Sequence, residues 1–139
     1  MIDYNELKIQ YLKFIRCVPW NLFISTRFAE TNVSTVDCVK HIKLFNRDIG
    51  INIKKQISSF SVINHYPFTH IHSLIYCKTN ELSNNDLEHI RKGWKYDIDV
   101  QTIYKNEGAT FYTIQKNMIK NYSETHWYGV HHIKKFFIN

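Results

Sequence analysis

Two runs rich in β-branched and aromatic residues, 57–66 and 69–77, are parted only by Pro67 and Phe68. Strands this close must pair as an antiparallel hairpin, because a parallel pair needs a crossover of about a dozen residues or more. With Pro67-Phe68 as a tight turn, His65 is expected opposite His70 and Ile63 opposite His72. Side chains alternate along a strand. His70 and His72 therefore share one face, while Ile71 turns into the core with Ser73 and Ile75. In this register His65 projects from the histidine face, with directly opposed Cβ atoms about 4.5–5.5 Å apart. Neutral imidazole binds divalent first-row metals well. A lone His-x-His pair is unspecific in a chain with eight histidines, and His65 is what draws attention to it.

The flanking segments fit an antiparallel sheet with helices. Residues 21–28 read as a strand with Leu22, Ile24, Thr26 and Phe28 on one face and Phe23, Ser25 and Arg27 on the other. Ser34-Thr35-Val36-Asp37 resembles a capping box with Asp in place of Glu. Cys38, Val39, Ile42, Phe45 and Ile49 follow as a helical apolar stripe, and Gly50 is the expected stop. An earlier helix is expected over about 5–16, with Leu7, Tyr11, Phe14 and Ile15 on its apolar side and Pro19 closing the segment. Beyond the hairpin come a polar loop, a short helix with Leu87, Ile90 and Trp94, and a strand over 96–104. Asn106-Glu107-Gly108 is a turn. Residues 109–121 read as a helix with Phe111, Ile114, Gln115 and Met118 on one side and Tyr112, Lys116 and Lys120 on another. The tail from Trp127 reads either as a last strand or as a DNA-facing flap. The expected architecture is α+β, a mainly antiparallel sheet with flanking helices in one domain over 1–139.

A formal charge of +6 and a pI near 9.2 favour an anionic partner such as nucleic acid. Cys17, Cys38 and Cys77 have no paired spacing and read as reduced thiols in a cytosol-like compartment. No segment approaches the ~20 apolar residues of a membrane span, and the first residues lack a signal-peptide pattern. The protein is expected to be soluble and cytoplasmic. The four glycines are scattered, so a phosphate-binding loop and the ATPase chemistry that needs one are not expected.

The order of these pieces resembles the HUH endonucleases, and among them the rolling-circle replication initiators (Rep proteins) of plasmids and viruses. Residues 19–28, from Pro19-Trp20-Asn21 to Thr26-Arg27-Phe28, look like the family's first strand motif. His70-Ile71-His72 looks like its paired-histidine motif, and Gly108-Ala109-Thr110-Phe111-Tyr112 looks like the motif whose helix carries a nucleophilic tyrosine. The similarity spans about residues 19–120. It implies a ferredoxin-like or RNA-recognition-like HUH nuclease fold with the histidines on a central strand. It implies site-specific nicking and joining of single-stranded DNA at a replication origin, a hairpin or AT-rich site, through a covalent 5′-phosphotyrosine. It makes Tyr112 the nucleophile and His70 and His72 ligands of Mn²⁺ or Mg²⁺. The implied partners include host replication machinery in the host cytoplasm. A homodimer is also implied, because the helix holds one tyrosine and a second cleavage would need another protomer or water.

Three departures matter. The family commonly has Lys three residues after the tyrosine; here that place holds Gln115, and Lys116, one turn from Tyr112, becomes the expected catalytic lysine. Lys120 is a more distant phosphate contact. No Asp or Glu lies between Gly50 and His72 to serve as the usual acidic third ligand, so His65 takes that role, with Asn64 as a weaker substitute. Ser25 and Arg27 interrupt the usual Thr-rich strand, and Arg27 is a candidate DNA-phosphate contact. Two other readings use the same residues: a single-strand transposase of the same superfamily, and a non-catalytic nucleic-acid binder on the same fold.

Overall fold

The computed structural model describes residues 9, 10, 13, 20–55, 57–77, 82–103 and 124–128. Among them the elements run β1 (Leu22–Arg27), α1 (Thr35–Ile53), β2 (Ile57–Asn64), β3 (His70–Cys77), α2 (Asn84–Lys92), β4 (Ile98–Thr102) and β5 (Glu124–Tyr128). The sheet order is β4-β1-β3-β2-β5, and every neighbouring pair is antiparallel. β1 and β2 are joined through α1 with β3 between them, and β3 and β4 through α2 with β1 between them. These two interlocked crossovers make the ferredoxin-like βαββαβ arrangement, with β5 added along β2. The fold is α+β, as the strand and helix patterning indicates.

Alternation in β1 is as read from the sequence. Leu22, Ile24 and Thr26 are buried, Phe23 and Ser25 are half-buried, and Arg27 is exposed. The buried set joins Ile57, Ile63, Ile71 and Ile75 beneath Ile42, Phe45, Ile49 and Ile53 of α1 and Ile90 of α2. One sheet face is therefore the helix-covered face. Val62 and Leu74 on the opposite face are also fully buried. β2 is buried along its whole length, serines included, and β3 from Ser73 onward, whereas β1 alternates.

Ser34 caps α1, its hydroxyl accepting from the Asp37 N–H at 3.2 Å. Gly50 does not stop the helix. It runs on to Ile53 and ends at Lys54, which takes the left-handed conformation with φ 55°. Gly inside a helix costs up to about 1 kcal/mol, less than the ~1.5–3 kcal/mol gained by burying an isoleucine. Ile53, one turn past Ile49 on the same stripe, decides the boundary. In α2 the Ser83–Asp86 capping box is complete, and Asp86 also receives Lys55 at 2.8 Å.

The hairpin corrects the expected register by one residue. Asn64 pairs with His70, Ile63 with Ile71 and Val62 with His72. The connection is residues 65–69 and not a two-residue turn. Because the side-chain period is two, this shift sends His65 to the other face. The expected N-terminal helix is represented by residues 9, 10 and 13, which are helical. The turn at 106–108, the helix at 109–121 with Tyr112, Lys116 and Lys120, Cys17 and the end of the tail lie outside the described residues. β5 includes the start of that tail. No helix among the described residues is long and apolar enough to cross a membrane.

Candidate metal centre and nucleic-acid interface

β3 lies between β1 and β2, so the backbone at His70 and His72 is hydrogen-bonded on both sides. Both rings project from the face opposite the helices. Their centroids are 5.0 Å apart with planes at 76°, close enough for one nitrogen of each to converge on a single ion.

The hydrogen bonds fix what each ring can offer. His70 Nδ1 is 2.8 Å from the Phe68 carbonyl oxygen. A carbonyl only accepts, so Nδ1 carries the proton and the neutral ring keeps its lone pair on Nε2. An imidazole that donates its second N–H to a carbonyl is the usual outer support of a metal-binding histidine. His72 Nδ1 is 3.0 Å from Ser25 Oγ, and the hydroxyl can take either role. Burial, with a smaller contribution from neighbouring His70, pushes the His72 pKa from 6.5 down to about 4. His72 is therefore neutral at pH 7, the form a metal requires.

His65 is employed elsewhere. Its Nε2 is 2.9 Å from Thr35 Oγ1 and its Nδ1 is 3.1 Å from Thr69 Oγ1. Thr69 Oγ1 also accepts from the Val33 N–H at 3.0 Å. These bonds tie the hairpin loop to the start of α1 on the helix side of the sheet. The structure brings His70 and His72 together and leaves His65 out, correcting its expected place as third ligand. Asn64 stands opposite His70 instead, with its Oδ1 accepting from the Tyr66 N–H at 3.1 Å. Among the described residues no third His, Cys, Asp or Glu completes a metal-binding group. Asp99 shares the histidine face through its pairing with Ser25, but it stands two strands from His72, about 10 Å at ordinary strand spacing.

Arg27 pairs with His70 across the β1–β3 ladder. Its guanidinium lies 5.2 Å from the centre of the Phe68 ring, and Phe68 in turn is 5.3 Å from His70. Phe23 stacks on the far side of His72 at 5.4 Å and 20°. The result is a row, Phe23, His72, His70, Phe68, with an exposed guanidinium at one end. Flat rings beside a cation suit a single nucleic-acid strand, whose bases stack and whose phosphates pair with the charge. Sequence reading assigned Phe23 and Ser25 to the correct face but missed their contact with His72, because that depends on β1 being the neighbour of β3. In the sequence Phe68 shows only as part of the turn.

Cys38 and Cys77 are buried. Burial, with Asp37 adding to it, pushes the Cys38 thiol up to about 11, so it is unreactive at neutral pH.

No protein-family model and no curated protein matches this sequence. The structure is similar to the crystal structure of the hypothetical protein ORF119 from Sulfolobus islandicus rod-shaped virus 1. The two align with a TM-score of 0.56 and 21% identity over 84% of this chain and 93% of that one. At this identity the likeness is one of fold.

Proposed function

We propose that this protein is a metal-dependent endonuclease of the HUH type that nicks and rejoins single-stranded DNA to initiate rolling-circle replication. The observation that carries the proposal is the His70/His72 pair. It sits on a central strand of a ferredoxin-like sheet, with one ring held in the tautomer that frees Nε2 and the other held neutral. The donor chemistry fits a divalent ion with oxygen ligands completing its sphere, and Mn²⁺ or Mg²⁺ bound there supplies electrophilic polarisation of the scissile phosphate.

The remaining roles rest on the sequence resemblance. The Tyr112 phenol gives up its proton and its oxygen bonds to phosphorus. The bond from phosphorus to the 3′ oxygen breaks, and that oxygen leaves as a 3′-hydroxyl after taking a proton. The 5′ end stays on Tyr112, and attack by a later 3′-hydroxyl reverses the step and rejoins the strand. The ammonium of Lys116 offsets charge on the phenolate. Arg27, with Lys120, holds neighbouring phosphates, while Phe23 and Phe68 offer stacking surfaces to bases.

The test is incubation with a panel of single-stranded oligonucleotides and Mn²⁺, scored as an SDS-resistant protein–DNA band. Wild-type protein forms the band and Tyr112→Phe does not; a band of equal strength from the variant overturns the assignment. The ring row at the sheet face also suits a second reading, a non-catalytic single-strand binder. That reading predicts metal-independent binding, no covalent band and a steep fall of affinity with salt.

A further inference from the structure

We propose that a cleft between the β1–α1 loop, the first turns of α1 and the α2–β4 connection binds an organic cation, a guanidinium or alkylammonium group. This site is separate from the histidine pair and does not depend on the nuclease reading. Phe28, His41, Trp94 and Tyr96 form a cluster with centroids from 5.2 Å (Phe28–His41) to 6.5 Å (His41–Tyr96) apart and planes inclined by 52° to 73°. Phe28, His41 and Tyr96 line a cavity of about 170 Å³ with the carboxylates of Glu30 and Asp37. Among the described residues no Lys or Arg lines it. Lys95 borders the adjoining cavity, where its Nζ lies 6.0 Å from the Tyr96 ring centre. Tyr96 thus already has one ammonium within cation–π range of its ring.

The two helix starts show that Asp37 is not consumed by its own helix. Ser83 and Asp86 exchange both bonds of a capping box, and Asp86 holds Lys55 as well. At α1 only the Ser34 half of the box is made. The Asp37 carboxylate makes no hydrogen bond or ion pair among the described residues, and neither does that of Glu30. In a chain of net charge +6, two uncommitted carboxylates beside aromatic rings decide the ligand class. A phosphate or nucleic-acid backbone is repelled. A neutral apolar ligand would strip water from the carboxylates without replacing it. A cation meets the ring quadrupoles and the carboxylates together.

The test is a nuclear magnetic resonance titration of the full chain with acetyl-arginine methylamide, spermidine and the uncharged acetyl-citrulline methylamide. Saturable shifts at the Phe28, His41 and Tyr96 ring signals with either cation, and none with the citrulline derivative, support the site. Tighter binding of the arginine derivative assigns the source to a partner protein's side chain; tighter binding of spermidine assigns it to a free polyamine. The double variant Glu30→Gln/Asp37→Asn, whose amide spectrum away from the cleft reports that it is folded, should bind either cation about tenfold more weakly. Asp86→Asn should bind as wild type does. Equal binding of the citrulline derivative, no saturable shifts, or indifference to the double substitution overturns the proposal.

Discussion

His65 and His70 flank the same hairpin loop, yet their imidazoles do opposite jobs. His65 meets a hydroxyl at each nitrogen and joins the loop to α1. His70 gives one nitrogen to a carbonyl and keeps the other, with neutral His72 beside it. What separates them is the face of the sheet, which a single residue of register decides. An imidazole is a candidate for chemistry when a lone pair is left over after the fold has taken what it needs.

The largest expected effect breaks the comparison at its functional end. His70→Ala or His72→Ala should lower Mn²⁺-dependent adduct formation by about 100-fold or more, since each removes a ligand and not merely its support, with only a small change in Tm. Quantifying the SDS-resistant band against metal concentration checks this; a loss matched by unfolding would return both residues to a structural role. His65→Ala should do the reverse. It removes the bonds the ring makes to the Thr35 and Thr69 hydroxyls, at a cost of about 1–3 kcal/mol for the two, or roughly 3–10 °C in Tm for a chain of this size. Adduct yield per folded molecule should hold, and thermal melts paired with the nicking assay separate the two histidine classes. Ser25→Ala keeps both ligands but removes the hydroxyl beside His72 Nδ1. Mn²⁺ affinity by calorimetry should fall about tenfold.

A further effect is on pH. The folded pKa of His72, about 4, lies below its ordinary 6.5, so the unfolded chain takes the proton first. Stability should fall as pH drops from about 6.5, and this contribution should level off below about 4. Urea melts at pH 7, 5.5 and 4 should show a shallower decline for His72→Asn than for wild type; parallel curves would mean that another group governs the acid side.

The sequence held much of this fold because its cues are local. Alternation in β1, the Cys38–Ile49 stripe of α1 and the existence of the hairpin all come from periodicity, which neighbouring residues set among themselves. Register was lost because Pro67-Phe68 reads as a two-residue turn, while His65 and Thr69 are held by bonds to Thr35 and Val33, more than 25 residues earlier in the chain. The end of α1 was misplaced because a glycine is a weak stop against one more buried isoleucine. At the candidate site the His-x-His pair was plain to see. The Ser25–His72 contact was not, because it exists only through the order of strands. The rings of Phe28, His41 and the Trp94/Tyr96 pair come from three separate segments of the chain.

Among the described residues β3 is bonded along both of its edges, while β4 at the sheet margin is bonded along one. Amide protons of β3 should therefore trade with deuterium only when the molecule opens as a whole, and those of β4 by local fraying. Anything that docks on the imidazoles meets a spacing already settled during folding. Adapting to a larger or smaller ion is left to rotation of the rings, because the strand beneath them has no slack to give.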